Sequence, residues 1–160
     1  MKNIKKFIFE FVKKKRQIFE QRIYEKILSP KDELNLVDVG GYKGIQSRWK
    51  KLEKYINFHT FEPNKEEAKK INLKSKNFYV HNYALSDQDG KLTLNICKEP
   101  GVSSVLTPNF EFLKKYNDVD RFEVVEKATV DCKKLDTINI DCIDFIKIDV
   151  QGYNLEVLRG

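Results

Sequence analysis

The chain has 160 residues, 41% of them hydrophobic and 34% charged, with a net charge of +6. That suffices for one domain with an apolar core and excludes a collagen-like or wholly disordered chain. The three cysteines, Cys97, Cys132 and Cys142, are odd in number and form no CxxC pair. A disulfide scaffold and a zinc ribbon are thereby disfavoured, and buried packing residues in a reducing compartment are expected.

The positive charge is local. Residues 1–28 hold nine basic and three acidic side chains and so carry the whole excess, while the remainder balances at 21 of each sign. A body without net charge lays no strong footprint on a phosphate backbone, so no nucleic-acid partner is expected. Within the first segment, Ile4, Phe7, Ile8, Phe11, Val12, Ile18, Phe19, Ile23 and Ile27 recur at helical spacings, with Lys15 and Arg22 interrupting the stripe. The longest apolar cluster, Phe7 to Val12, is too short for a membrane span or a signal peptide. The expectation is a cytoplasmic protein whose basic amphipathic helix, residues 1–29, either packs on the domain or a second subunit or meets the anionic inner face of a membrane. Ser29-Pro30 closes that segment, and a second unit runs over 30–160.

From residue 34 the sequence alternates in type. Leu34–Val39 (LNLVDV) reads as a buried strand, Gly44–Tyr55 as an amphipathic helix, Ile56–Phe61 as a strand, Asn64–Leu73 as a helix and Asn77–His81 as a strand. The turn signal Asp89-Gly90 precedes a strand over Lys91–Ile96, and Arg121–Thr129 alternates in the same way. Ile143–Val150 is the next strand, with a helix starting near Tyr153. Repeated β–α units predict an α/β fold: a mostly parallel, doubly wound sheet with helices on both faces. Such sheets bind ligands beyond the carboxyl ends of the strands, where the winding reverses.

The first of these ends reads Asp38-Val39-Gly40-Gly41-Tyr42-Lys43-Gly44. Its glycines allow a sharp turn and close approach to a ligand, and Gly44 would lead into a helix N-terminus. The dinucleotide fingerprint G-x-G-x-x-G fails, because Tyr42 or Lys43 occupies the second glycine position. Asp38 would repel a pyrophosphate but suits a ligand that brings a cation, such as an α-ammonium group. A plain turn would use the same glycines.

Glu62, in Phe61-Glu62-Pro63, lies where a βαβ unit places an acid beside a nucleoside ribose, and its carboxylate can accept from two hydroxyls. A helix N-terminal acid is the structural alternative. The stretch Asn82-Tyr83-Ala84 can wall an adenine. Lys147 and Asp149, two apart on one strand, share a face and should pair or line a cleft. His59 reads as a strand residue without a catalytic role; His81 reads first as a strand-end residue and is the second candidate, beside Asp149, for a general base, and no convincing metal-ligand cluster is offered.

In this order, VDVGGYKG, FEP, HNYALSD, GVSSVL and DFIKIDVQGYNLEVLRG, between Leu34 and Gly160, resemble the FkbM-type S-adenosylmethionine-dependent methyltransferases. The resemblance implies a three-layer Rossmann-like class I methyltransferase sheet, S-adenosylmethionine as cofactor, and methyl transfer to an oxygen of a sugar or glycan-type acceptor. By motif it places Asp38 and Gly40 at the methionine end, Glu62 at the ribose hydroxyls, and Asn82 and Ala84 near the adenine; Gly41 and Gly44, read from the same glycine loop, are taken with them as cofactor-binding residues. It places Asp149 by the transferred methyl and Ser103-Ser104 on a loop over the acceptor; Lys147, sharing a strand face with Asp149, is the second candidate catalytic residue. Asp149 is then the leading general base. The chain departs from the family pattern at Gly41 and Tyr42 in the glycine loop and at Asn154, where the family has glutamate. The family also continues beyond the equivalent of Gly160. Within 30–160 the Ile143–Val150 strand should therefore lie at a sheet edge, open to a C-terminal segment or to an oligomer partner. A donor-binding chain without transfer activity, or a membrane-docking module, is the alternative function.

Overall fold

A computed structural model of the protein describes residues 2–28, 33–47, 49–71 and 76–160, with side chains for all of these except 2–9 and 17. Helix α1 covers Lys2–Ile27 and is followed by strand β1, Leu34–Val39. Strand β2 (Ile56–Phe61), helix α2 (Lys65–Lys70) and strand β3 (Phe78–His81) come next, then the short β4 (Ala84–Leu85) and the longer β5 (Gly90–Cys97). Helix α3 (Phe110–Leu113), strand β6 (Val124–Lys133), strand β7 (Ile143–Ile148) and helix α4 (Asn154–Arg159) complete the order. The expected boundary at Ser29-Pro30 lies outside the described residues, and the helix expected over Asn64–Leu73 is shorter: it ends at Lys70, because Ile71 turns to extended backbone (ψ 109°).

The main sheet has the order β3-β2-β1-β7, and all three pairings are parallel. Alternation along the strands divides its two faces. Val37, Val39 and Phe61, with their β7 neighbours Ile146 and Ile148, point to one side, where Leu85, Tyr153 and, from α4, Val157 pack against them. Leu36, Ile56, Phe58 and Phe78 point to the other, covered by Ile45, Trp49 and Leu52. This is a Rossmann-like α/β arrangement. Chain order runs outward from β1 through β2 to β3 and then jumps to β7 on the opposite side, so the winding reverses between β1 and β7.

Three further expectations are corrected. The segment Gly44–Tyr55 is not an α-helix: its described residues form turns and a single 3-10 turn at Lys50–Leu52. Lys43 and Gly44 both have left-handed backbone (φ 66° and 71°), which a right-handed helix cannot continue. Ile45, Trp49 and Leu52 still reach the sheet at near-helical intervals, which is the periodicity the sequence displays. The second correction concerns the middle of the chain. Residues 121–122 belong to a 3-10 turn, and β6 begins at Val124. β6 pairs antiparallel with β5 and parallel with β4, forming a separate three-stranded sheet.

Third, the strand expected over Ile143–Val150 ends at Ile148. It does lie at the sheet edge, with β1 as its strand neighbour and Ile143 and Phe145 exposed by 36% and 47%. Cys97 and Cys132 are buried, as packing residues should be, whereas Cys142 is exposed.

Candidate active site

A cavity of about 270 Å³ opens beyond the carboxyl ends of β1, β2 and β7, at the reversal of winding. Val39 and Gly40 contribute from the end of β1 and the residue after it, Phe61 and Glu62 likewise from β2, and Lys147 and Asp149 from β7 and just beyond; Ala84, Ser103, Ser104 and Tyr153 close it. Of the residues singled out by sequence, the cavity gathers Gly40, Glu62, Ala84, Ser103, Ser104, Lys147 and Asp149. It does not include Asp38, Gly41, Gly44 or Asn82 in its wall.

Glu62 is buried, 7% exposed, at the end of β2. One carboxylate oxygen, Oε1, accepts from the backbone N–H of Asn64 at 2.9 Å. Asn64 caps α2 in turn, its side chain accepting from the N–H groups of Glu66 and Glu67. The turn is therefore held from both directions, and a carboxylate has acceptor sites beyond the one bond. Burial pushes the Glu62 carboxyl up to about 7, opposed by the Asn64 bond and reinforced by the negative charges of Glu67 and Asp38. Asn82, expected near a ligand, instead donates through Nδ2 to the carbonyls of Glu62 (2.9 Å) and Pro63 (3.2 Å). It clamps the loop that presents the acid.

Asp38 lies 2% exposed on the far side of β1 from Val39. Lys147 Nζ stands 2.9 Å from its Oδ1, and the same ammonium approaches Asp149 Oδ2 at 3.6 Å and donates to the Gly40 carbonyl at 3.3 Å. Register explains the meeting: Asp38 and Lys147 are directly paired residues of β1 and β7, and Asp149 is two further along the same face. Asp38, expected to face a cation brought by a ligand, instead faces Lys147 of the chain itself. Lys147 and Asp149 do pair and line one cleft. Gln151 Nε2 steadies Asp149 by donating to its Oδ1 at 3.1 Å.

The glycine loop folds back over β2. The N–H groups of Gly40 and Gly41 both donate to the Phe61 carbonyl, at 3.0 and 3.1 Å. Gly40 has φ 82°, and a Cβ there would sit 2.1 Å from the Asp149 carbonyl oxygen. Gly44 faces a different hollow, lined by Lys43, Phe58, Thr60 and Ile71, and begins no helix. The helix N-terminus expected after it therefore does not form.

Ser103 and Ser104 line the cavity, but their hydroxyls serve the loop. Ser103 Oγ accepts from Cys97 N–H, while Ser104 Oγ donates to the Gln151 carbonyl at 3.1 Å and accepts from Leu106 N–H. Sequence reasoning missed Gln46, Tyr42, Pro100, Gly101 and Tyr153 as wall residues. Tyr42 donates to Glu99 Oε1 at 3.0 Å across the mouth, and Tyr153 shares a 3.0 Å hydrogen bond with Ser86. Only the glycine of Pro100-Gly101 offered a signal, since Tyr42 packs where its side chain would stand. Asn154 is exposed and outside the wall.

With this geometry in place, a family profile for the methyltransferase FkbM domain matches residues 38–160, well over half of the chain. The chain belongs to the FkbM methyltransferase family. No curated protein and no solved structure matched it. The matched span of the FkbM domain begins at Asp38 and takes in every wall residue of the cavity, so the site lies wholly within the methyltransferase domain.

Proposed function

We propose that this FkbM domain transfers a methyl group from S-adenosylmethionine to a hydroxyl of a sugar or glycan-type acceptor. The observation that carries the reading is the cavity at the winding reversal, with a buried carboxylate on one wall and an accessible carboxylate on another. The wall residues suit the donor. Glu62 would accept from the two ribose hydroxyls, and hydrogen bonds to a charged group contribute roughly 1.5–3 kcal/mol. Phe61, Pro63, Ala84 and Leu85 offer apolar contact for a purine. The Gly40 carbonyl, rather than Asp38 itself, stands where an α-ammonium group could be met.

When bound, S-adenosylmethionine supplies a methyl group already activated on a sulfonium sulfur. The chain then has to align the acceptor and manage one proton. Asp149 is the wall carboxylate with access to solvent, its side chain 56% exposed. As general base Asp149 would take the acceptor's hydroxyl proton, leaving the oxygen free to receive the methyl group that the donor would supply. Lys147 orients Asp149 and ties it to the Gly40 loop, so it acts as a positioning residue. Titration calorimetry with S-adenosylhomocysteine tests the donor half. Binding is expected for the full chain and a loss of at least about tenfold for Glu62→Gln. Equal affinity in the two proteins would remove Glu62 from the site. For the catalytic half, Asp149→Asn should retain S-adenosylhomocysteine binding and lose methyl transfer to glycan acceptors.

A further inference from the structure

Helix α1 has two unlike sides. Among its side chains described from Glu10 onward, and including Leu28 just past its end, the positions that are not exposed are Glu20, Tyr24 and Leu28. They recur every four residues and so form one stripe. That stripe faces the body, because Lys51 ion-pairs with Glu20. At about 100° per residue, Phe11, Lys15, Ile18, Arg22 and Lys26 fall on a second stripe on the opposite side. Phe19 lies beside them.

The outward stripe is left to solvent, with Phe11 at 52%, Ile18 at 47% and Phe19 at 65% exposure. Its polar members are all cations, and Lys15 Nζ lies over the Phe11 ring, 4.8 Å from the centroid. The acids Glu10 and Glu20 fall towards the other side, and Glu25 flanks the stripe. No helix among the described residues is long and apolar enough to cross a membrane.

We propose that α1 is a peripheral anchor that lies on an anionic lipid surface through the Phe11–Lys26 stripe. Charge complementarity selects this occupant. Phenylalanine and isoleucine enter the boundary between headgroups and acyl chains, while lysine and arginine between them reach anionic headgroups. A second copy would set Lys15 and Arg22 against the same cations in a self-complementary contact. A nucleic acid duplex would leave the phenylalanines without use. The inference is independent of the proposed reaction, because it draws on no residue of the cavity.

The test is co-sedimentation of the full chain with vesicles of phosphatidylglycerol and phosphatidylcholine, and with vesicles of phosphatidylcholine alone. Binding to the anionic vesicles is expected at low salt, weakening as salt screens the charges. Two paired variants separate the contributions: Phe11→Ser with Phe19→Ser, and Lys15→Gln with Arg22→Gln. Each should lower partitioning about tenfold or more. All four positions are exposed, and circular dichroism would confirm that helix content is retained. Equal partitioning on neutral vesicles, or partitioning indifferent to both variants, overturns the proposal. So does lipid-free self-association that the phenylalanine variant abolishes, which would identify a second copy as the occupant.

Discussion

Glu62 meets opposing demands, and its pH behaviour makes them measurable. Burial holds its folded carboxyl at about 7, against 4.5 for the free side chain. Between those values the folded state binds more protons than the unfolded state, so stability falls as pH rises through this window. The loss is complete above about 7 and is on the order of 3 kcal/mol. Denaturant unfolding at pH 5 and pH 8 should show it, and Glu62→Gln should flatten the profile and be the more stable protein at pH 8. A ligand that donates two hydroxyls needs the ionised form, so binding near pH 6 should release a proton. Calorimetry in buffers of different ionisation enthalpy reads that proton directly. Lys147 presents the converse case, since its ammonium faces the buried Asp38. Lys147→Met removes that cation and should cost roughly 3 kcal/mol in thermal unfolding. Adding Asp38→Asn should restore part of it, because the two changes share one interaction.

At the scale of elements, the loop after β1 is the part whose backbone has least freedom. Gly40 combines a left-handed φ of 82° with a Cβ position 2.1 Å from the Asp149 carbonyl oxygen. Gly40→Ala must therefore part β1 from the end of β7, and should both destabilise the fold by about 1–3 kcal/mol and abolish S-adenosylhomocysteine binding. Gly90 makes the control. It has φ 145° with nothing within 4 Å of its Cβ position, so Gly90→Ala should lower the melting temperature without touching affinity. The helix expected over Gly44–Tyr55 teaches a related lesson. Its apolar spacing is legible in Trp49 and Leu52, but the same spacing, joined by Ile45, serves a chain of turns held down on a sheet. Periodicity reports which side chains face the core and leaves the backbone path open.

Across the whole molecule, protection against unfolding should be graded. Val37, Val39, Phe58 and Phe61 lie 2% exposed or less in the two central strands, whereas α1 keeps Phe11, Val12, Ile18, Phe19 and Ile27 in solvent. Hydrogen exchange should therefore be slowest in β1 and β2 and much faster along α1, whose helix gains little from tertiary packing. Uniform exchange across both would contradict a helix that stands with its apolar stripe outward. The edge position of β7 belongs to this scale too, since its exposed Phe145 touches Trp49 from the β1–β2 connection at 4.8 Å between ring centroids.

Much of this protein could be read from the order of its residues. Strand positions, the parallel winding and the acids and glycines at strand ends follow from local pattern, because a buried parallel strand must be apolar and a sharp turn must be permissive. Glu62 is the clearest such residue: it was placed by its distance in sequence from Asp38, and it stands in the cavity wall. Tertiary structure alone decided where Asp38 and Asn82 spend their polar groups. Asp38 meets Lys147 across 109 positions of chain only because β7 settles beside β1, in the register that pairs those two residues. Asn82 turns to the Glu62 loop because β3 lies next to β2. A short polar side chain takes whichever partner packing brings within 3 Å, and no local pattern announces which partner that will be.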